Sequence, residues 1–246
     1  MDRLIYVAMT GAKQTEYRQS TVANNLANAN TTGFRADLAA FRAVPVLGGP
    51  GLATRAFAVE QGAGSDLSQG SFQQTGRELD AAITGDGWFA VQSASGEAYT
   101  RNGNFVVDAS GMLKTFTGLI IEGESGPLTI PENSQASIAP DGTVSAIDLA
   151  NPAQAVEVGR LKLVNPAAAE MEKGLDGLFR RRNGEAGQPD PNVRLSVGGI
   201  EGSNVNAVDQ LVTMIATQRH YDMQIKLLQT AEQNSRSAAS ILSLNG

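Results

Sequence analysis

The stretch Val22-Ala-Asn-Asn-Leu-Ala-Asn-Ala-Asn-Thr-Thr-Gly-Phe34 sets four asparagines within nine residues at the end of a helical pattern. Asparagine costs a helix about half a kcal/mol per residue, because its side chain competes for backbone hydrogen bonds. Upstream, Leu4, Ala8, Gly11 (or Ala12), Thr15, Val22, Leu26 and Ala29 recur at helical spacings, and most are small. At about 25 cal/mol per Å² of apolar area, so thin a stripe buries little. A lone helix of this kind is marginal in water, so it needs a partner. Gly33 is expected to end the helix in a left-handed conformation, with Asn30 facing water. Asn24 and Asn28 are four apart and share one face, which Asn25 widens.

The partner lies at the other end of the sequence. From Asn204 to about Leu242 the pattern is helical again, with Ser203 or Asn204 as N-cap. Leu211, Gln218, Ile225, Glu232 and Ala239 fall seven apart, and Met214, Tyr221, Leu228, Ser235 and Leu242 form a second series. Together they predict a heptad seam with polar breaks. His220 reads as a surface or interface residue on this helix.

Between the helices the signals change to β. Trp88–Val91, Phe105–Val107, Ile120–Ile121, Ala136–Ile138 and Arg160–Val164 read as short strands. Gly85-Asp86-Gly87, Asn102-Gly103, Asp108–Gly111 and Asp141-Gly142 supply turns, through the positive φ that tight hairpins require. The stretch from 36 to 75 is rich in Pro and Gly and reads as an extended connector with short β pieces. The expected organisation is α+β. Residues 1–35 and 203–246 form an antiparallel, coiled-coil-like helical assembly domain. Residues 36–75 connect it to a mainly antiparallel β domain over 76–202.

Composition narrows the function. The formal net charge is −6 and only 18% of the 246 residues are charged, which leaves polar, uncharged surfaces. An acidic balance without a basic cluster argues against nucleic acid. The run Arg180-Arg181-Arg182, followed by Asn183-Gly184, reads as a solvated turn. With no cysteine and one histidine, thiolate chemistry and multi-histidine metal sites are excluded. No cofactor is expected. No apolar run reaches the roughly 20 residues of a membrane helix, and the first residues do not read as a secretory signal. Phosphate loops, zinc-protease helices and nucleophile elbows are missing from the sequence. Glu78 and Asp80 share a strand face and read as ordinary exposed carboxylates.

The two ends are similar to a known family. Val22–Phe34, together with Glu201-Gly-Ser-Asn-Val-Asn206 and Met214-Ile-Ala-Thr-Gln-Arg-His-Tyr221, resembles the paired terminal signatures of bacterial flagellar rod and hook proteins. Leu79–Ile83, Gly87–Phe89 and Tyr99–Gly103 extend the resemblance across the middle. The opening Met1–Met9 and the segment Gly159–Val164 look most like proximal rod members. The resemblance implies a non-enzymatic structural subunit, exported through the flagellar type III apparatus without a cleaved signal. It implies self-assembly with other proximal and distal rod subunits into a helical tube through the periplasm that transmits torque. Distal rod or hook-type subunits are the alternative within the family. A peptidoglycan-cleaving enzyme is the alternative outside it.

Joined to the helical pattern, the resemblance places subunit contacts at Val22, Asn24, Asn25, Leu26, Asn28, Gly33 and Phe34. On the C-terminal side it places them at Asn204, Leu211, Met214, Gln218, Tyr221, Ile225 and Leu228. A row of asparagines can donate and accept at once, satisfying neighbouring helices without burying charge.

Overall fold

A computed structural model of the chain describes residues 2–45, 56–149 and 155–244. It divides into two units. One comprises Met1–Ala27, Asp37–Ser65 and Asn206–Gly246, and the other comprises Asn28–Ala36 and Asp66–Val205.

The first unit contains helix α1 (Asp2–Ala27), strands β1 (Asp37–Pro45) and β2 (Ala56–Ser65), and helix α2 (Ala207–Leu244). The helices run antiparallel. Gly11 of α1 lies against Gln224, Thr15 Oγ1 is 3.2 Å from His220 Nδ1, and Gln19 Nε2 donates to Gln218 Oε1 at 3.2 Å. The N-cap of α2 is Asn206, whose Oδ1 accepts from the amides of Val208 and Asp209. Ser203 and Asn204, the expected caps, are engaged elsewhere. Ser203 Oγ accepts from the Val205 amide, and the Asn204 side chain holds the backbone of Ala36 and Asp66. The stretch expected to be a broken connector holds strands of nine and ten residues paired antiparallel, Asp37 opposite Ser65 and Pro45 opposite Ala56. Glycine does not break this pairing. Gly64, at φ +87°, lies where the register shifts, the conformation that a β-bulge assigns to glycine.

The second unit is built of antiparallel strands. Its largest sheet runs in the order Met171–Lys173, Phe179–Arg181, Gly96–Thr100, Trp88–Ser93, Ile120–Gly123, Leu113–Thr115, Phe105–Val107. A meander of Ser134–Ile138, Thr143–Asp148 and Ala155–Arg160 forms a second sheet. Two short pairs complete the unit: Ala81–Thr84 with Arg194–Val197, and Phe72–Gln74 with Gly199–Glu201. Alternating burial, as in Thr143–Asp148, supplies the inner face. The core packs Phe89 edge-on to Phe105, with ring centroids 5.1 Å apart, among Val91, Leu113, Ile121 and Val144.

Two local expectations change. Arg160–Val164 is not one strand. The chain leaves the meander at Arg160, and Leu161 and Lys162 donate to Gly142 and Glu122 before Leu163–Val164 pairs with Trp88–Ser93. Gly103 does not need a positive φ. A Cβ there would stand 1.6 Å from the Ala81 carbonyl oxygen, so close approach of backbones requires the glycine.

Candidate assembly site

The seam between α1 and α2 is made of small residues. Ala8, Ala12, Thr15 and Val22 of α1 are buried, as are Thr217 and Ala231 of α2. On α2 the inward series is Gln210, Thr217, Gln224 and Ala231, alternating with Met214, Tyr221 and Leu228. Met214, Tyr221 and Leu228 of the second heptad series therefore face inward, whereas Leu211, Gln218 and Ile225 of the first lie one residue off; the side chains of Ser235, Ala239 and Leu242 lie outside the described residues. Leu211 is 47% exposed, Gln218 is exposed, and Ile225 sits half-buried at the flank. The reason is steric. Opposite Gly11 and Thr15 there is room for a threonine, a glutamine and a histidine close to the axis, and Leu211 is not required to fill the seam. His220, exposed, reaches back to Thr15.

The asparagines divide into separate roles. Asn25 is only 3% exposed, and its amide grips one residue twice. Its Oδ1 accepts from the Asp37 amide at 2.8 Å, and its Nδ2 donates to the Asp37 carbonyl at 2.9 Å. This is the bonding a neighbouring strand would offer, and it satisfies the backbone where β1 begins. Asn24 is exposed and Asn28 half-buried, and Leu26 is half-buried at the edge of the seam. α1 ends at Ala27, well before Gly33. Asn28 supplies the turn: its carbonyl accepts from the Thr31 amide, and its Oδ1 from the Thr31 hydroxyl.

Gly33 has the expected positive φ of 69°, but it serves the β unit and not the helix end. Its amide donates to the Glu201 carbonyl at 2.8 Å, and a Cβ would come within 2.3 Å of the Arg101 backbone. The Phe34 ring lies under Lys173 Nζ at 3.9 Å, and that lysine also donates to the Arg35 carbonyl. Asn204 Oδ1 accepts from the Ala36 amide, while its Nδ2 donates to the carbonyls of Asp66 and Ser68.

Three buried charges sit at the centre of this region. Glu201 Oε1 is 2.6 Å from Arg35 Nη2, and its Oε2 accepts from Arg101 Nη1 at 3.0 Å. The Gly70 amide also donates to Glu201 Oε1. Arg101 donates to the Gly85 carbonyl and lies 5.4 Å from the Trp88 ring centre. Burial pushes the pKa of Arg101 below its usual value, and the Glu201 carboxylate pulls it back up. Arg35 Nε and Nη1 meet no acceptor among the described residues, and Glu201 is the carboxylate that touches both guanidiniums. Sequence reading passed over Arg35, Arg101 and this role of Glu201. All three stood inside or beside the quoted motifs, but their spacing along the chain gives no sign that they meet.

The carboxylates considered for catalysis are engaged structurally. Asp80, expected to be exposed, is buried because it closes the turn that precedes its strand: it accepts from Thr75 and lies 3.5 Å from Arg77, whereas Glu78 is exposed and accepts from Gln135. The basic run, expected to be a solvated turn, begins in the strand Phe179–Arg181, where pairing with Met171–Lys173 holds it; there Arg180 pairs with Asp176 and Arg181 with Glu170. Among the described residues no group of three or more metal-ligating side chains could hold an ion, and no helix is long and apolar enough to cross a membrane.

A long antiparallel pair from the two chain ends, joined to a strand-built body, defines a class of axial assembly proteins. The family comparisons agree with it. Residues 5–35 match the flagella basal body rod protein family, 82–146 the flagellar hook protein FlgE/F/G D1 domain, and 197–241 the flagellar basal body rod FlgEFG protein C-terminal region. The chain is 45% identical to the flagellar basal-body rod protein FlgF of Escherichia coli K12 and 44% identical to that of Salmonella typhimurium LT2, in both cases over the whole of each chain. It is 31% identical to the rod protein FlgG of Bacillus subtilis 168, over 95% of this chain and 96% of that one. The chain belongs to the flagellar basal-body rod protein family.

Proposed function

We propose that the chain is a structural subunit of the flagellar basal-body rod, in the position held by FlgF in its enteric relatives, polymerising through its terminal helices. One observation carries the assembly reading. α2 has apolar side chains on the face opposite its seam with α1, and Val208, Val212 and Ile215 are each more than half exposed there. A helix apolar on two opposite faces is suited to burial on both. Full-length similarity to proteins named for the rod supports the site of that burial. In this reading the chain performs no reaction. It reaches the periplasm through the flagellar export apparatus and transmits torque among other rod subunits. Asn24 and Asn28 serve as uncharged contacts between neighbouring helices, with Leu211, Gln218 and Ile225 on the outer part of α2.

Expression in an E. coli strain lacking its own FlgF tests this. The chain should appear in purified basal bodies and restore swimming. Its retention inside the cell, with no rod beyond the point of block, would refute the proposal.

A further inference from the structure

The pair Asn183-Gly184 closes the turn that follows the strand Phe179–Arg181. Residues 182–186 are all exposed, and the Gly184 amide donates to the Arg181 carbonyl at 2.9 Å. Gly184 has a φ of +71°, with nothing within 4 Å of the place a Cβ would take. Asn183 Oδ1 accepts from the Glu185 amide at 3.1 Å, and its Nδ2 donates to Glu185 Oε2 at 2.8 Å. A second such pair, Asn102-Gly103, offers a comparison within the same unit. Asn102 Oδ1 likewise accepts from the amide two residues on, that of Asn104, at 3.1 Å. Its setting differs. Gly103 is buried, its carbonyl accepts from the Ala81 amide at 3.0 Å, and the Asn102 amide donates to Thr100 Oγ1 at 3.0 Å.

We propose that Asn183 is a site of spontaneous deamidation in the folded protein, and that Asn102 is spared. The Gly184 nitrogen loses its proton to solvent base and bonds to Asn183 Cγ. The Cγ–Nδ2 bond breaks, and the departing nitrogen takes up protons and leaves as ammonia. Water then opens the cyclic imide at either carbonyl, giving aspartate or isoaspartate. In both asparagines the amide bonded to Oδ1 draws charge from Cγ and steadies the oxygen as attack begins. The glycine separates them. Ring closure swings the glycine nitrogen toward the side chain, and the peptide beyond it must turn as well. Gly184 has no Cβ to hinder that swing, and the bond it gives up lies in an exposed turn. Gly103 is wedged: a Cβ there would stand 1.6 Å from the Ala81 carbonyl oxygen and 3.2 Å from the Phe89 ring, and moving its carbonyl breaks a buried hydrogen bond. The product alters the hairpin. A carboxylate replaces the amide that bonds Glu185, so like charges meet. Isoaspartate also lengthens the main chain between two held points, Arg181 opposite Met171 and the Gly187 amide on Tyr99 Oη. Only water is consumed, so the altered fraction grows with the age of the chain. The inference is independent of the rod reading.

Ageing the purified full-length chain slightly above neutral pH, then digesting it and weighing the peptides by mass spectrometry, tests this. The peptide holding Asn183 should turn into acid forms, isoaspartate among them, at least about tenfold faster than the peptide holding Asn102, the factor that one buried hydrogen bond supplies. In urea, where Gly103 is released, the two sites should convert at similar rates. Gly184→Ala should slow conversion about fivefold in the folded chain. Trp88 packs on Phe179 with ring centroids 4.5 Å apart, so its fluorescence reports that the strand before the turn is intact in that variant. An Asn183→Asp chain supplies the chromatographic standard. Equal conversion of both sites in the folded chain overturns the inference, as does an unchanged Asn183 over a period in which the urea sample converts. A preference for Asn183 that persists in urea overturns the structural reason, and an undiminished rate in Gly184→Ala overturns the part given to the glycine.

Discussion

The two units solve the burial problem in opposite ways. The β unit closes its core within itself: Phe89, Phe105, Val91 and Leu113 are completely buried, and the charges it buries meet one another. The helical unit packs alanine, threonine and glutamine in its seam beside Val22, Met214 and Leu228, and leaves Val208, Leu211, Val212, Ile215 and Met223 exposed. Hydrophobic side chains are thus placed where the monomer cannot use them. The comparison sets a unit that closes its own core against one that leaves much of its apolar surface exposed.

The sharpest way to break this comparison is to strike the β unit at Glu201. Glu201→Ala leaves Arg35 and Arg101 buried without the carboxylate that both touch, and should cost about 3–5 kcal/mol. The single tryptophan, Trp88, is packed against Arg101 and reports it by fluorescence during urea unfolding. A loss under 1 kcal/mol would mean that the buried trio does not hold the unit together. In the helical unit the largest comparable change is smaller. Val22→Ala removes two buried carbons and should cost about 1.5 kcal/mol, at about 0.8 kcal/mol per buried CH₂. Far-ultraviolet circular dichroism should show it in the helices while Trp88 fluorescence stays unmoved. A matched shift in both signals would show that the units unfold as one.

The Asn25 amide refines the comparison further. Asn25→Ala removes both side-chain bonds to the Asp37 backbone but improves the helix by about half a kcal/mol, for a net loss of about 1 kcal/mol. Hydrogen exchange at Asp37 should accelerate ahead of exchange in α1. Unchanged protection there would discount the clamp. The smallest effect on the monomer and the largest in the rod belong to the exposed apolar face of α2. Ile215→Ser should alter monomer stability by no more than about 0.5 kcal/mol, yet reduce incorporation into basal bodies. Normal incorporation would remove the proposed role of that face.

Much of this was legible in the sequence because it depends on local chemistry. Periodicity located both helices, and turn residues marked most of the strands around Trp88, Phe105 and Ile120. Three features were not legible, each for a physical reason. The first heptad series was assigned through Leu211, because apolar residues mark a seam when nothing else is known. With Gly11 and Thr15 opposite, the seam admits Thr217 and Gln224 instead. The glycines between 36 and 75 suggested breakage, but pairing over nine or ten residues tolerates a bulge at Gly64. Asn25 looked like its neighbours Asn24 and Asn28. Its role depends on the chain returning to it at Asp37, and no local pattern encodes that return.

Where the chain enters the β unit it lies beside where it leaves. Gly33 is hydrogen-bonded to Glu201, Asn204 holds Ala36, and Arg35 and Glu201 meet beneath them. In mechanical terms the chain crosses between the two units four times, so the β unit is rooted by several segments and does not hang from one. A tug on the stretch around Arg35 passes to the stretch around Glu201 through these bonds, so the load is shared between distant parts of the sequence.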